Sequence, residues 1–270
     1  PTDPVAVLGI FKTVKISPTL KAMISGESLF NDGVGVVVFT VLVAILTAGN
    51  TDFSSNLIVG FKYFVKEACG GGLLGFLTGW IAFRGMKSID EHNTEVLITL
   101  ALVLVTYSLA SILHVSGPIA VVIAGLLIGN HGSKFAMSEN TNEHVQKFWD
   151  LIDEILNAIL FLLIGLEIML LDFKFNILLL SLVFIPIVII SRFLSVGGII
   201  KTLSLFRKYE NGTVRILTWG GIRGGISVAL VLSLSEGFYR DILLSTTYII
   251  VIFSIIVQGL TIEKVIKRLL

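Results

Sequence analysis

The stretch of sequence that decides the fold runs from Glu27 to Asp32 and reads ESLFND. It carries two carboxylates, yet it lies within an apolar segment that extends from Leu20 to Ala48. A charged side chain at the middle of a bilayer costs at least about 2.5–3.5 kcal/mol, so such a residue is paired, faces water or has a function. The stretch therefore predicts a membrane helix with an acidic group that needs an explanation.

The composition of the whole chain indicates a membrane protein. Of its 270 residues, 54% are hydrophobic and 14% are charged, whereas soluble domains carry about 25% charged residues. Apolar runs of about 20 residues, long enough to cross a bilayer, recur along the chain. Only helices and closed barrels satisfy their backbone in lipid, and these runs lack the alternation of barrel strands. We predict an all-α, multi-span helical bundle that forms a single domain over residues 1–270, with membrane elements at about 1–12, 19–48, 58–84, 94–113, 117–130, 145–171, 175–203, 213–236 and 241–262.

The distribution of basic residues predicts the orientation of these spans. Most of the 20 lysines and arginines fall in one set of alternate connections, which the positive-inside rule assigns to the cytoplasm. The C-terminus is then cytoplasmic in a protein of the cell (inner) membrane. We expect residues 131–147, the most polar stretch, to form a solvated cytoplasmic loop. We expect no signal peptide, and we expect an N-terminal part of the protein to precede Pro1.

The metal-binding residue types do not suggest a cofactor. Cys69 is the only cysteine, which excludes an intramolecular disulfide or a cysteine-based zinc site, and the four histidines are scattered. We expect no cofactor and no nucleic-acid partner. The expected partners are a monovalent cation, a proton and the lipid bilayer.

Three glycines at intervals of four mark one face of the predicted span 58–84. Gly71, Gly75 and Gly79 lie on the same side of a helix. Small residues on one face allow helices to approach closely in lipid. We therefore predict that this face packs against another helix.

Helical spacing divides the acidic stretch into two faces. Ser28 and Asp32 are four residues apart and share one face, while Glu27 and Asn31 share a face about 100° away. A hydroxyl and a carboxylate together form a hard oxygen site that suits a hard cation. Glu27 needs a neutralising partner, and Arg192, within an otherwise apolar segment, is the predicted one.

Asp32 is the predicted exchange group. A carboxylate in a partly dry cavity binds a proton more readily than a carboxylate in water. A cation and a proton would then compete for a single negative charge. If the site crosses the membrane only when one of them is bound, this competition produces exchange.

Two sequence interruptions predict non-helical backbone at membrane depth. Asp3 precedes Pro4, a combination typical of a helix start, where a carboxylate is favoured. The segment 219–227 reads WGGIRGGIS, with four glycines around Arg223. Interrupted hydrophobic segments of this kind indicate the binding site of a transporter. We expect Asp3 to compensate helix N-termini and Arg223 to compensate helix C-termini.

The chain resembles the electroneutral Na⁺/H⁺ exchanger branch of the monovalent cation:proton antiporters. The resemblance follows the family's order and spacing along nearly the whole chain. It rests on the segments PTDP (1–4), SGESLFNDG (25–33), FLLIGLE (161–167), SR (191–192) and GGIRGG (220–225).

The resemblance implies an inverted-repeat antiporter fold of about thirteen helices, with two crossing broken helices near Asp3 and Arg223. It implies that the family's first helices are missing from this chain and that the protein is a homodimer. It implies secondary active exchange of Na⁺ for H⁺ by alternating access, with Li⁺ as a further candidate cation. It also implies a role in pH homeostasis and no enzymatic activity.

The resemblance also implies roles for individual residues. Asp32 would carry the ion and the proton, with Ser28 and Thr2 as further Na⁺ ligands. Asn31 stands where electrogenic relatives have a second aspartate, which implies exchange of one Na⁺ for one H⁺. Glu27 and Arg192 resemble the family's structural ion pair, and Asp3 and Arg223 resemble its helix-end compensators.

Other functions stay open from the sequence. A K⁺/H⁺ antiporter could use the same groups, because selectivity depends on cavity size and ligand number. An intramembrane aspartyl protease could use Asp3 and Asp32, although this leaves Glu27 and Arg223 unexplained. An ion channel or sensor on the same scaffold is the remaining alternative.

Overall fold

A computed structural model of the chain describes residues 2–3, 16–47, 53–89, 91–169, 175–207, 209–210, 212–236 and 238–269. Regular structure in these ranges is helical throughout, which confirms the predicted all-α fold class. Most of the predicted first element, residues 1–12, lies outside the described ranges, and so does the predicted helix start at Pro4. Thr2 and Asp3, which precede it, are described and are not helical.

The longer helices and the two halves of the interrupted one are numbered in chain order. We number them α1 Pro18–Thr47, α2 Phe53–Lys87, α3 His92–Leu113, α4 Gly117–Leu127, α5 Glu139–Ile168, α6 Phe175–Leu203, α7 Thr213–Trp219, α8 Gly225–Leu232, α9 Phe238–Phe253 and α10 Gly259–Leu269. Two π-helical turns, Ile128–Gly132 and Ser254–Gln258, continue α4 and join α9 to α10.

Five helical stretches among the described residues are long and apolar enough to cross a membrane. They are Pro18–Thr47, His92–Leu113, Gly117–Phe135, Ile177–Leu203 and Arg240–Leu269. Many large apolar side chains on these helices are exposed, for example Leu46 and Ile112. Apolar patches of this extent are rare on soluble monomers but suit a surface that faces lipid. The number and bounds of the other predicted spans stay predictions.

The predicted loop over residues 131–147 is wrong for most of its length, because helical structure continues through a short helix, Ser133–Phe135, and only residues 136–138 are non-helical. Helix α5 begins at Glu139, eight residues before the predicted end of the loop. The Ser138 hydroxyl accepts a hydrogen bond from the Thr141 backbone at 3.3 Å, and Lys147 pairs with Glu143 at 2.6 Å one turn on. These contacts satisfy a helix N-terminus and support an exposed polar turn. A polar composition therefore marked a solvated helix end instead of a loop.

The chain divides into two compact units. The first comprises Pro1–Asn31 and Leu160–Leu270, and the second comprises Asp32–Ile159. Helix α1 contributes residues to both units because the division falls after Asn31. The prediction that the chain is a single transport domain stays a prediction.

In the first unit, the core surrounds an interrupted helix. The chain leaves helical structure after Trp219 and re-enters it at Gly225, so the predicted interruption around Arg223 is present. Ile222, inside the interruption, is fully buried and packs in a cluster with apolar residues of α1, α6, α7 and α10. The non-helical segment is therefore held in the core of this unit.

In the second unit, α2 packs closely along α4 through the predicted glycine face. A Cβ atom at Gly75 would lie 2.0 Å from the Ala120 carbonyl oxygen. At Gly71 it would lie 2.6 Å from the Ser116 carbonyl oxygen, and at Gly79 3.0 Å from the Ala124 Cα atom. These neighbours are backbone atoms, which cannot rotate away. The glycines therefore set the distance between the two helices.

This packing predicts that Gly75→Ala destabilises the protein. The added methyl group would force α2 and α4 apart, and overpacking of this kind costs about 1–3 kcal/mol. The matched control is Gly72→Ala on the same helix, where nothing lies within 4 Å of the added Cβ. Thermal unfolding in detergent should show a lower midpoint for Gly75→Ala and an unchanged or slightly higher one for Gly72→Ala, since alanine favours helix. Equal midpoints for the two variants would contradict this account of the packing.

Candidate functional site

Arg192 connects three parts of the first unit. Its Nη1 lies 2.8 Å from Glu27 Oε1, and its Nη2 donates to Glu27 Oε2 at 3.0 Å. Nη1 also donates to the Thr2 hydroxyl at 3.0 Å, while Nε donates to the Leu217 carbonyl at 3.0 Å. The Arg192 side chain is 10% exposed, and that of Glu27 is 30% exposed. A planar guanidinium can make this two-point contact to a carboxylate and still have donors for other acceptors.

The glycines of the interrupted helix make room for these side chains. A Cβ atom at Gly221 would lie 2.0 Å from Arg192 Nε, and one at Gly224 would lie 2.7 Å from Asp3 Cβ. A side chain at either position would displace Arg192 or Asp3. The two glycines are therefore needed for close approach.

Thr2 and Asp3 are bound to the same group of residues. The Thr2 side chain is buried, and its hydroxyl accepts hydrogen bonds from Arg192 and, at 3.3 Å, from the Asn31 amide. The Asp3 backbone N–H donates to the Ile222 carbonyl at 2.7 Å. The position of the segment 2–3 is thus tied to the interrupted helix.

Ser28 and Asp32 lie on successive turns of the continuous helix α1. The Ser28 side chain is fully buried, and its hydroxyl has no hydrogen-bond partner in the described part of the chain. Asp32 begins the second unit, and its Oδ1 atom is buried. A buried hydroxyl oxygen without a partner is uncommon in proteins and needs an explanation, of which a bound ion or water is one.

The structure brings together most of the residues that the sequence singled out in the first unit. Glu27 and Arg192 form an ion pair, with Thr2 and Asn31 joined to it by hydrogen bonds. Arg192 also donates to the Leu217 carbonyl in the last turn of α7. Compensation of helix ends by Asp3 and Arg223 stays a prediction.

Sequence reasoning missed two polar residues beside the interruption, Ser254 and Gln258. Both are buried, and both contact the backbone of the segment 219–223. A sequence signal was available: they are four residues apart, on one face, within the apolar run 243–260.

Fold and site together define an integral membrane protein in which a non-helical segment in the core of its unit lies beside an ion pair, a combination found in secondary transporters. The family model described as "Sodium/hydrogen exchanger, transmembrane" matches residues 1–268. The chain therefore belongs to the sodium/hydrogen exchanger family. This match confirms the prediction that the chain is a member of the monovalent cation:proton antiporters.

Relatives of several kinds match nearly the whole chain. The Na(+)/H(+) antiporter NhaP of Pseudomonas aeruginosa is 50% identical over 100% of this chain and 64% of its own length. The Na(+)/H(+) antiporter NhaH of Halobacillus aidingensis is 38% identical over 99% of this chain and 66% of its own length. Sodium/hydrogen exchanger 3 of the mouse is 27% identical, with 33% of its length covered. The chain thus spans about two thirds or less of the length of these relatives.

Proposed function

We propose that the protein containing this chain is a secondary antiporter that exchanges Na⁺ for H⁺ at Asp32. The observation that carries the proposal is the buried Ser28 hydroxyl, without a partner in the described part of the chain, one helical turn before Asp32. A neutral hydroxyl and a carboxylate oxygen are hard ligands of the kind that alkali cations accept. The names of the relatives, which describe Na⁺/H⁺ antiporters, support Na⁺ and H⁺ as the two exchanged ions.

Glu27 is less suited than Asp32 to carry the ion. Both of its oxygen atoms are engaged by Arg192, so its charge is already neutralised by a fixed cation. A Na⁺ ion at Glu27 would have to displace the guanidinium or share the carboxylate with it. We therefore assign different roles to the two carboxylates: Glu27 supports the structure, and Asp32 exchanges ions.

Three ligands are proposed for Na⁺, namely Asp32, Ser28 and Thr2. Thr2 is the weakest of them through its hydroxyl, because that oxygen already accepts hydrogen bonds from Arg192 and Asn31. Its backbone carbonyl is the better candidate. Asn31 donates to Thr2 and carries no charge, which supports electroneutral exchange of one Na⁺ for one H⁺ at the single carboxylate.

The exchange is tested with the intact protein in liposomes that contain a pH-sensitive dye. Na⁺ added outside should dissipate a preset pH gradient, with K⁺ and Li⁺ tested in parallel to define selectivity. Clamping the membrane potential should leave the initial rate unchanged if one Na⁺ exchanges for one H⁺. Dissipation by K⁺ and not by Na⁺ would replace the proposal by K⁺/H⁺ exchange, and a rate that follows the membrane potential would contradict electroneutrality.

Ser28→Ala should weaken Na⁺ binding in this assay without removing exchange. The variant loses one neutral oxygen ligand while Asp32 remains, so we expect the half-saturating Na⁺ concentration to rise about three- to tenfold, the range of one polar contact. The matched control is Ser195→Ala, because among the described residues the exposed Ser195 hydroxyl bonds only to the backbone of its own helix. An unchanged Na⁺ dependence in Ser28→Ala would remove Ser28 from the ligand set.

Two further features of the antiporter are proposed. The cytoplasmic position of the C-terminus is supported by the distribution of lysine and arginine between alternate connections. A homodimer in the cell membrane is supported by the resemblance to the family. Labelling of a cysteine introduced near Leu269 from one side of the membrane, and cross-linking in native membranes, test these two features separately.

A further inference from the structure

The π-helical turn Ser254–Gln258 lies beside the interruption between α7 and α8. It separates α9 from α10 within an otherwise continuous helical stretch. Ser254 is 1% exposed and Gln258 is 4% exposed, so both polar side chains are buried in an apolar region. Single π-helical turns inside α-helices occur frequently at functional sites.

The two side chains bind the backbone at both ends of the interruption. The Ser254 hydroxyl oxygen accepts a hydrogen bond from the Arg223 backbone N–H at 2.8 Å. The Gln258 amide donates to the carbonyl of Trp219, the last residue of α7, at 3.3 Å. The Ser254 hydroxyl in turn donates to Gln258 Oε1, which links the two contacts. Backbone groups that leave helical pairing inside a membrane need such partners.

The segment held in this way also contacts Asp3, which adjoins the proposed Na⁺ ligand Thr2. The Ile222 carbonyl accepts the Asp3 N–H at 2.7 Å, and Gly224 lies against the Asp3 side chain. On the preceding turn, Leu217 accepts from Arg192, which binds Thr2. A shift of the segment 219–224 would therefore move Thr2 and Asp3.

We infer that Ser254 and Gln258 are positioning residues of the antiporter, which hold the interrupted helix so that Asp3 and, next to it, the proposed Na⁺ ligand Thr2 are correctly placed. This inference rests on the proposed function. It assigns a role to the π-helical turn: the wider turn places a serine and a glutamine, four residues apart, against both ends of the break. Neither residue contacts the ion. Both act by holding the backbone of the segment 219–223, which in turn contacts Asp3.

The test compares the Na⁺ dependence of exchange in liposomes for the intact protein and four variants. Ser254→Ala should raise the half-saturating Na⁺ concentration about three- to tenfold, the range for one lost hydrogen bond, with the maximal rate within about twofold. Ser254→Thr keeps the hydroxyl and should restore the Na⁺ dependence. Gln258→Met, similar in volume, should act like Ser254→Ala and replaces it if that variant does not fold. The matched control is Thr261→Val, since Thr261 binds the Trp219 indole and not the backbone of the break.

Hydrogen–deuterium exchange gives a readout that does not depend on transport. Peptides covering residues 219–225 should take up deuterium faster in Ser254→Ala than in the wild type. In Thr261→Val their deuterium uptake should match the wild type. A lower maximal rate with an unchanged half-saturating concentration would indicate a general structural role and would overturn the inference. An equal shift in Thr261→Val would overturn it as well.

The same assay separates the inference from the function on which it rests. If the wild type exchanges Na⁺ for H⁺ and Asp32→Asn does not, the proposed function stands. An unchanged Na⁺ dependence in both Ser254→Ala and Gln258→Met then overturns the positioning role alone. If the wild type does not exchange, the proposed function fails and the positioning role fails with it.

Discussion

Asp32→Asn is expected to abolish Na⁺-driven movement of protons in liposomes. The amide has nearly the same shape as the carboxylate but neither releases a proton nor carries a negative charge. A Na⁺ ion in the site would then cross without its counter-charge. An uncompensated charge within the membrane costs at least about 2.5–3.5 kcal/mol, so the rate should fall about a hundredfold or more.

The control for this substitution is Asp153→Asn. It makes the same chemical change on the exposed side of α5, where the Asp153 carboxylate accepts a hydrogen bond from Asn157 on the same helix. We expect its exchange rate and expression to match the wild type. Na⁺-driven alkalinisation that persists in a folded Asp32→Asn variant would eliminate Asp32 as the exchange group.

Loss of the Arg192–Glu27 pair is expected to have the largest effect on stability. Breaking a buried ion pair by removing one partner costs about 3–5 kcal/mol, and the partial exposure of Glu27 places its own substitution toward the lower end. Arg192→Met should destabilise more than Glu27→Gln because it also removes the donors to Thr2 and Leu217. Thermal unfolding in detergent should therefore rank wild type above Glu27→Gln and Glu27→Gln above Arg192→Met.

The double variant Arg192→Met/Glu27→Leu separates charge from hydrogen bonding. It removes both charges together, so part of the stability should return relative to Arg192→Met alone. Full recovery is not expected, because the Leu217 carbonyl and the Thr2 hydroxyl still lack the hydrogen bonds that Arg192 donates.

An exposed ion pair on α10 provides the control for this series. Glu263 and Lys267 are paired at 2.6 Å, yet their side chains are 43% and 64% exposed. Glu263→Gln should leave the unfolding midpoint nearly unchanged, as exposed pairs contribute little. If Glu27→Gln keeps wild-type stability but loses apparent Na⁺ affinity, Glu27 is a Na⁺ ligand, and its assignment to a purely structural role is wrong.

The fold class was predictable because apolar length and backbone satisfaction leave few structures in a membrane. The interruption predicted within residues 219–227 is present at residues 220–224, since four glycines in an apolar segment disfavour a continuous helix. The loop predicted over 131–147 was wrong in part. Its polarity was read as absence of structure, whereas Ser138 and the Glu143–Lys147 pair stabilise an exposed helix end.

For the candidate site, the sequence predicts mainly which residues share a face of one helix. The four-residue intervals between Ser28 and Asp32 and between Glu27 and Asn31 follow from helical geometry and needed no structure. The pairing of Glu27 with Arg192 was inferred from the need to neutralise a charge in lipid, and the structure shows the two in contact. Ser254 and Gln258 were missed, because uncharged polar residues in a span are common and nothing local indicates their partners.

The sequence by itself determined that this chain is a helical membrane protein with an acidic stretch and a broken helix, because hydrophobic length and glycine content act locally. Only the tertiary structure decided that Arg192 donates to the Leu217 carbonyl near the end of α7, and that the same arginine donates to Thr2. Such contacts join residues about 25 to 190 positions apart. Their geometry depends on how the helices pack, and glycines such as Gly221 reveal the close approach only when the opposing side chain is known.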